Sequence, residues 1–260
     1  MSSTSIYMQE KARVAKAPPM TEAERAARVE LAACYRIFDM LGWDQLIFNH
    51  ITVRVPGPEV RFLINPFGLH YSEITASSLL LIDLDGRVLR ETQWPVNQAG
   101  FVIHSAIHGA IGQAHCIMHT HTTTGMAVAC LRDGLSPHNF YGAMLQGKVA
   151  YHDFEGITVE PGERERLVRD IGDKPAVILR NHGLLAWGPS VPEAFLMLWT
   201  LQRACDVQIA ASAAGALNPI QPKAFEQSMR VSGPGEKRTC EDVFAALVRQ
   251  VKARDASFRT

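Results

Sequence analysis

The chain has 260 residues, 47% apolar and 20% charged, which is enough for a full hydrophobic core near the upper size of one domain. Lysine plus arginine equals aspartate plus glutamate, 26 against 26, so no net field favours polyphosphate or an anionic membrane surface, and no nucleic-acid partner is expected. No apolar stretch reaches about 18 residues, and the N-terminus MSSTSIYMQEKARVAKAPPM lacks the unbroken apolar run of a secretory signal, so the expected location is cytoplasmic with no membrane partner.

Residues 1–20 end in Ala17-Pro18-Pro19 and read as a flexible arm. Thr21 and Glu24 fit a capping box, and Leu31, Cys34, Tyr35, Phe38 and Leu41 recur at helical spacing until Gly42. Strict alternation over 50–55 predicts a half-buried strand, with Ile51, Val53 and Val55 on one face and His50, Thr52 and Arg54 on the other. A short strand at 61–64 is broken by Asn65-Pro66-Phe67-Gly68, and residues 79–84 are expected to meet Val88 and Leu89 across an Asp85-Gly86 turn.

From 98 to 112 the pattern is helical, and Gly100, His104 and His108 share one face. Residues 115–121 read as a strand and 122–131 as the start of a helix, followed by a strand at 148–154 and a helix at 163–171. The apolar strand 176–179 is interrupted by Arg180-Asn181-His182-Gly183 before an antiparallel return at 184–187. Residues 191–214 are apolar on nearly every side, which predicts a buried helix, covered partly by another subunit. Residues 219–234 read as loop, and 240–252 as a terminal amphipathic helix. The sum is a layered α/β fold around a largely antiparallel sheet.

His119-Thr120-His121 carries the sharpest chemical signal, because residues i and i+2 of a strand point to one face, about 6.6 Å apart at ~3.3 Å per residue. Cys116 has the opposite parity, and His115 lies two further steps away. His182, in a glycine-bearing turn between apolar strands, is the candidate third ligand; three imidazoles leave an open position on a divalent metal. The alternative is a chance pair of histidines beside a turn-capping one. Cys34, Cys116, Cys130, Cys205 and Cys240 are widely spaced with no CxxC pair, so they read as free thiols.

The words NHITVRV at 49–55, INPFGLHYSEITASSLLLIDLDG at 64–86, NQAGFVIHSAIHGAIGQAHCIMHTHTTTGMAVA at 97–129 and ILRNHGLLAWGPSVPEAF at 178–195 resemble the class II aldolase/adducin family, closest to its adducin-like branch. The resemblance runs from about Thr21 to Gly215. It implies a three-layer α/β/α fold, a domain over 21–215 followed by a C-terminal extension over 216–260 whose terminal helix packs on the domain, and commonly a homotetramer. It also places the metal ligands on His119, His121 and His182, with zinc expected and manganese or iron as alternatives.

Family aldolases carry a glutamate, a metal ligand and proton carrier, four residues before the histidine that matches His104; here Gly100 stands there, and a glycine does neither. His104, one turn on, is the candidate ligand or acid/base in the vacated space. His108, a turn further, is a weaker one. Tyr141 matches in spacing the tyrosine with which family aldolases protonate the leaving group. His50, Asn65, Gly68 and Arg54 are assigned to substrate binding, and Asn49-His50 in place of the family's Gly-Asn argues against a phosphorylated sugar. For Arg54 the competing reading is a polar strand face against a neighbouring loop.

The expected activity is a metal-dependent lyase, an aldolase or decarboxylase acting on a small hydroxy-carbonyl or hydroxy-acid compound. The alternative is a non-catalytic adducin-like interaction module. For that reading, the short stretch after the domain lacks the long basic tail with which adducins reach actin and spectrin. Zinc-hydroxide hydrolysis or ferrous oxygenation is a third reading of three histidines on a β framework.

Overall fold

The computed structural model describes residues 19–156, 161–231 and 236–260. Most of the arm expected over 1–20 therefore lies outside the described residues. Seven strands, β1 (His50–Val55), β2 (Arg61–Ile64), β3 (Leu80–Asp83), β4 (Cys116–Thr120), β5 (Val149–His152), β6 (Ala176–Leu179) and β7 (Gly183–Gly188), form one sheet. Its order is β3-β2-β1-β4-β7-β6-β5, and every neighbour is antiparallel except the parallel pair β5–β6. The expected largely antiparallel sheet is thus observed. The helices are α1 (Glu22–Leu41), α2 (Gln98–Ala110), α3 (Thr123–Ala129), α4 (Phe140–Met144), α5 (Pro161–Ile171), α6 (Val191–Ala214), α7 (Pro222–Val231) and α8 (Lys237–Arg254).

Strand parity sorts the sheet into two cores, as alternation requires. Ile51, Val53, Cys116, Met118, Leu184 and Ala186 point into one core, together with Leu31 and Phe38 of α1, Phe195 and Leu201 of α6 and Phe244 of α8. Ile117, Val177, Leu185 and Trp187 point into the other, with Ile103 and Ile107 of α2 and Leu167 of α5. The fold is therefore three layers, α/β/α, with α2 packed against α5 on the second face. His119 shares the parity of Ile117, and His50 and Thr52 that of the polar face of β1, so all three lie in the second layer.

Three local expectations are corrected. Thr21 caps α1 by accepting from the Glu24 amide at 3.1 Å, but the Glu24 carboxylate does not return to the cap. It is drawn instead to Arg28 at 3.0 Å and Arg90 at 2.6 Å, because it is buried and two guanidiniums outweigh one exposed backbone N–H. Within 219–234, residues Pro222–Val231 form helix rather than loop, and the loop expected over 232–234 lies outside the described residues. The prolines punctuate only its start, where proline is tolerated, and Phe225 anchors the helix against the His138 ring at 5.6 Å. The girth of α6 is covered within the chain by β7, α3, α4 and α8, so its apolar character does not require a partner. The expected meeting of 79–84 with Val88 and Leu89 across the Asp85-Gly86 turn is observed, through an antiparallel Ile82–Val88 bridge and the Leu89 amide donating to the Leu81 carbonyl at 2.8 Å. Among the described residues no helix is long and apolar enough to cross a membrane.

Candidate metal centre

The turn between β6 and β7 explains the polar interruption in the sequence. Asn181 adopts a left-handed conformation, φ 57°, which asparagine tolerates better than most residues. Its amide donates to the Ala129 carbonyl at 3.0 Å, and the His182 amide closes back on Leu179 at 3.1 Å. Gly183 follows because nothing larger fits: a Cβ there would stand 2.4 Å from the Thr120 carbonyl oxygen and 3.0 Å from the His121 ring. The turn so packed carries His182 up to the end of β4, where His119 and His121 project.

The three imidazoles converge. Ring centroids are 4.5 Å apart for His119 and His121, 4.8 Å for His119 and His182 and 4.9 Å for His121 and His182, and one ring nitrogen from each lies within 4.8 Å of the other two. His119 Nδ1 is 2.9 Å from the Leu184 carbonyl, which only accepts, so Nδ1 carries the proton and Nε2 keeps its lone pair, 2.7 Å from His121 Nε2. A backbone carbonyl behind a ligating histidine is the usual arrangement that fixes tautomer and ring orientation. Burial holds His119 well below its ordinary pKa, with the neighbouring rings adding to the effect, and likewise lowers His121 and brings His182 to about 4. Neutral imidazoles with ring nitrogens gathered this closely are the donor set that a divalent ion takes, so these residues fit one.

Behind the triad lies a second histidine cluster. His50 stacks on His104 at 4.3 Å between centroids and meets His119 edge to face at 5.1 Å. A Cβ at Gly100 would stand 1.9 Å from His50 Cδ2, so the His50 ring occupies the space that a side chain at 100 would take. Both His50 nitrogens are buried without a hydrogen-bond partner among the described residues, and burial, then the repulsion that a proton here would meet from the His121 and His182 rings, lowers its pKa to about 3.

His104 is fixed through a relay. His108 Nδ1 lies 3.0 Å from the Ala114 carbonyl and donates to it, so its Nε2, 2.8 Å from Thr52 Oγ1, accepts the hydroxyl proton. Thr52 Oγ1 then accepts from His104 Nδ1 at 2.7 Å, which leaves His104 Nε2 unprotonated, buried and without a hydrogen-bond partner among the described residues. Desolvation keeps both rings neutral, with the His108 pKa at about 3.

A cavity of about 360 Å³ opens beside the triad, lined by His121 and His182 on one side and by Phe48, Phe67 and Asn97 among others. None of the four assigned substrate-binding residues lines it, contrary to the sequence reading: His50 is buried against Gly100 behind the triad. Arg54 donates to the His108, Ile111 and Gly112 carbonyls and so caps the end of α2, the structural role weighed against substrate binding. Asn65 is fully buried, accepting from the Tyr35 hydroxyl at 2.9 Å and tying β2 to α1. Gly68, φ 108°, is exposed beside Trp94, although its neighbour Phe67 does line the cavity. Tyr141 sits in α4 with its ring against Trp199 at 5.5 Å, and in this chain the structure does not bring it to the triad or to this cavity.

The same cavity holds residues the sequence reading missed. His152, Glu155 and Glu163 line it, and Asp170 Oδ2 lies 2.8 Å from His152 Nδ1. A signal existed: Glu163 and Asp170 are seven apart on one helix face, and His152 has the inward parity of Ala150 in β5. Arg180, the one lysine or arginine among the described lining residues, lies 4.6 Å over the Tyr151 ring and donates to the Leu131 and Arg132 carbonyls.

Residues 29–209 match the family described as the Class II Aldolase and Adducin N-terminal domain. The chain is 46% identical over 212 residues to a Caulobacter vibrioides protein named for class 2 aldolase, covering 81% of this chain and 82% of that one. It is 43% identical over 246 residues to rat alpha-adducin, covering 88% of this chain but only 33% of the adducin. Among solved structures, an aldolase II superfamily protein from Pseudomonas syringae superposes with a TM-score of 0.88 at 42% identity, covering 93% of this chain and 98% of that one. An L-fuculose 1-phosphate aldolase from Glaciozyma antarctica PI12 superposes with a TM-score of 0.81 at 29% identity, covering 94% and 97%.

Proposed function

The chain belongs to the class II aldolase and adducin family, and from that premise we propose that it is a divalent-metal-dependent carbon–carbon lyase acting on a small, unphosphorylated hydroxy-carbonyl or hydroxy-acid compound. The observation that carries this reading is the convergence of His119, His121 and His182 beside a cavity of small-molecule size. When bound, the ion, zinc first and manganese or iron as alternatives, supplies Lewis-acid polarisation of substrate oxygens.

The chain's own residues would do the rest. Leu184, through its carbonyl, orients His119, and the Asn181–Gly183 turn sets His182. Phe48 and Phe67 shed water from the substrate's carbon skeleton. Arg54 and Arg180 are committed to backbone carbonyls, which disfavours a phosphate even though one structural neighbour is titled for a sugar-phosphate substrate. A homotetramer goes with this reading, and light scattering at micromolar concentration tests it.

The function is tested by incubating zinc-loaded protein with a panel of unphosphorylated α-hydroxy ketones, aldols and hydroxy acids and assaying the released carbonyl compound or carbon dioxide. Cleavage of at least one, abolished in His119→Ala, is expected. Binding without turnover across the panel favours the second reading, a non-catalytic adducin-like module, for which the identity to rat alpha-adducin and the loss of any side chain at Gly100 speak.

A further inference from the structure

Lyase chemistry needs a group that takes and returns a proton, and position 100 holds no side chain to do so. We propose that Glu163 is the proton-carrying residue of this cavity, sharing its proton with His152, and that Asp170 is the positioning residue that aims His152 at it. The inference rests on the lyase reading above and deepens it.

Among the described residues three carboxylates, Asp153, Glu155 and Glu163, line the cavity, and they differ in kind. The Asp153 side chain is 91% exposed and carries a long ion pair to Arg180, while Glu155 is held bidentately by Arg166. The Glu163 side chain is only 8% exposed, and its Oε2 is buried with no hydrogen-bond partner among the described residues. Across from it stands His152, 5% exposed, whose Nε2 is likewise buried and unpartnered.

Asp170 decides which way His152 faces. Its carboxylate accepts from Nδ1 at 2.8 Å, which places the Nδ1 proton there and turns the Nε2 lone pair towards Glu163 Oε1 at 3.8 Å and Glu155 Oε1 at 3.9 Å; Glu155 is already held by Arg166, which leaves Glu163 as the carboxyl free to exchange a proton. An acid held on one imidazole nitrogen so that the other can exchange a proton is a recurrent acid–base arrangement. Burial raises the Glu163 carboxyl above its ordinary range, against the opposing pull of His152 and Arg166 and with Glu155 adding to the rise. A carboxyl so placed is a better match to neutral working conditions than a solvated one. The competing role is structural, a buried polar knot tying β5 to α5.

The proton step is balanced on this chain's residues. A substrate C–H bond breaks, and its electron pair stays on carbon, delocalised on to the adjacent carbonyl oxygen as an enolate. The proton forms an O–H bond on Glu163, is shared with His152 Nε2, and returns to the same carbon in reverse. No oxidant or reductant is consumed.

Dihydroxyacetone in D₂O is the probe, with loss of its CH₂ proton signal followed in the full-length, zinc-loaded protein. The parent should exchange deuterium into the probe, and Glu163→Gln should slow this by ~10²-fold or more while zinc per chain and the thermal midpoint stay near parental. Glu163→Asp, which keeps a carboxyl one methylene back, should recover part of the rate. Asp170→Asn should lower the rate by less and move the ¹⁵N shifts of His152 from the Nδ1–H tautomer to a mixture, a readout independent of turnover. Parental exchange in Glu163→Gln overturns the assignment while leaving the lyase reading standing. A parent that holds zinc and cleaves a compound of the panel but exchanges nothing overturns this inference alone; one that neither exchanges nor cleaves overturns the lyase reading and this inference with it.

Discussion

At Gly100, the absence of a side chain is a packing requirement as well as a chemical one. A Cβ there would collide with His50 at 1.9 Å, and His50 is itself wedged between His104 and His119. Gly100→Ala should therefore cost about 1–3 kcal/mol of stability by overpacking, measured by urea unfolding. His50→Ala in the same chain should relieve most of that cost, a non-additive pair, whereas additive losses would show that the two positions do not share space. Single residues also mark what a sequence can and cannot disclose. His119 and His121 were legible because strand parity is local. His182 was legible only as an oddity in an apolar hairpin, since its cause is the close approach of Gly183 to Thr120. His152 and Glu163 were not singled out, for each is one polar residue in a separate element and neither has a local pattern that names the other.

Elements were readable wherever the apolar period was clean, as in β1 and α6, and went astray where a flank outweighed the interior, as in α7 with its prolines. The polar face of β1 is instructive: His50, Thr52 and Arg54 share one face but serve three tasks, filling the space at Gly100, bridging His104 to His108, and capping α2. Which task falls to which residue depends on how α2 docks, and that is not written in β1. Arg54→Ala should destabilise the fold by about 1–3 kcal/mol, the scale for charged hydrogen bonds, without changing metal content. Unchanged stability with weakened binding of a carboxylate compound would instead return Arg54 to substrate binding.

For the whole molecule, the second layer concentrates buried neutral histidines, and this sets its response to acid. His108 has a folded pKa of about 3 against an ordinary 6.5, so the unfolded chain takes up a proton from pH 6.5 downwards while the folded chain does not. Stability should be fully present above about pH 6.5 and fall towards pH 3, by up to about 1.4 kcal/mol per pH unit for each such histidine. Urea midpoints at pH 7.5 and 5.0 check the sign, and a midpoint that rises on acidification would refute it. Zinc should oppose the loss, because a ligand that binds only the folded state stabilises it by mass action. The most direct test of the account is elemental analysis of the purified protein beside His119→Ala, His121→Ala and His182→Ala. One metal ion per chain in the parent, lost in each variant, is the predicted result. Full retention in the variants, or no metal in the parent even after zinc is added, would contradict it.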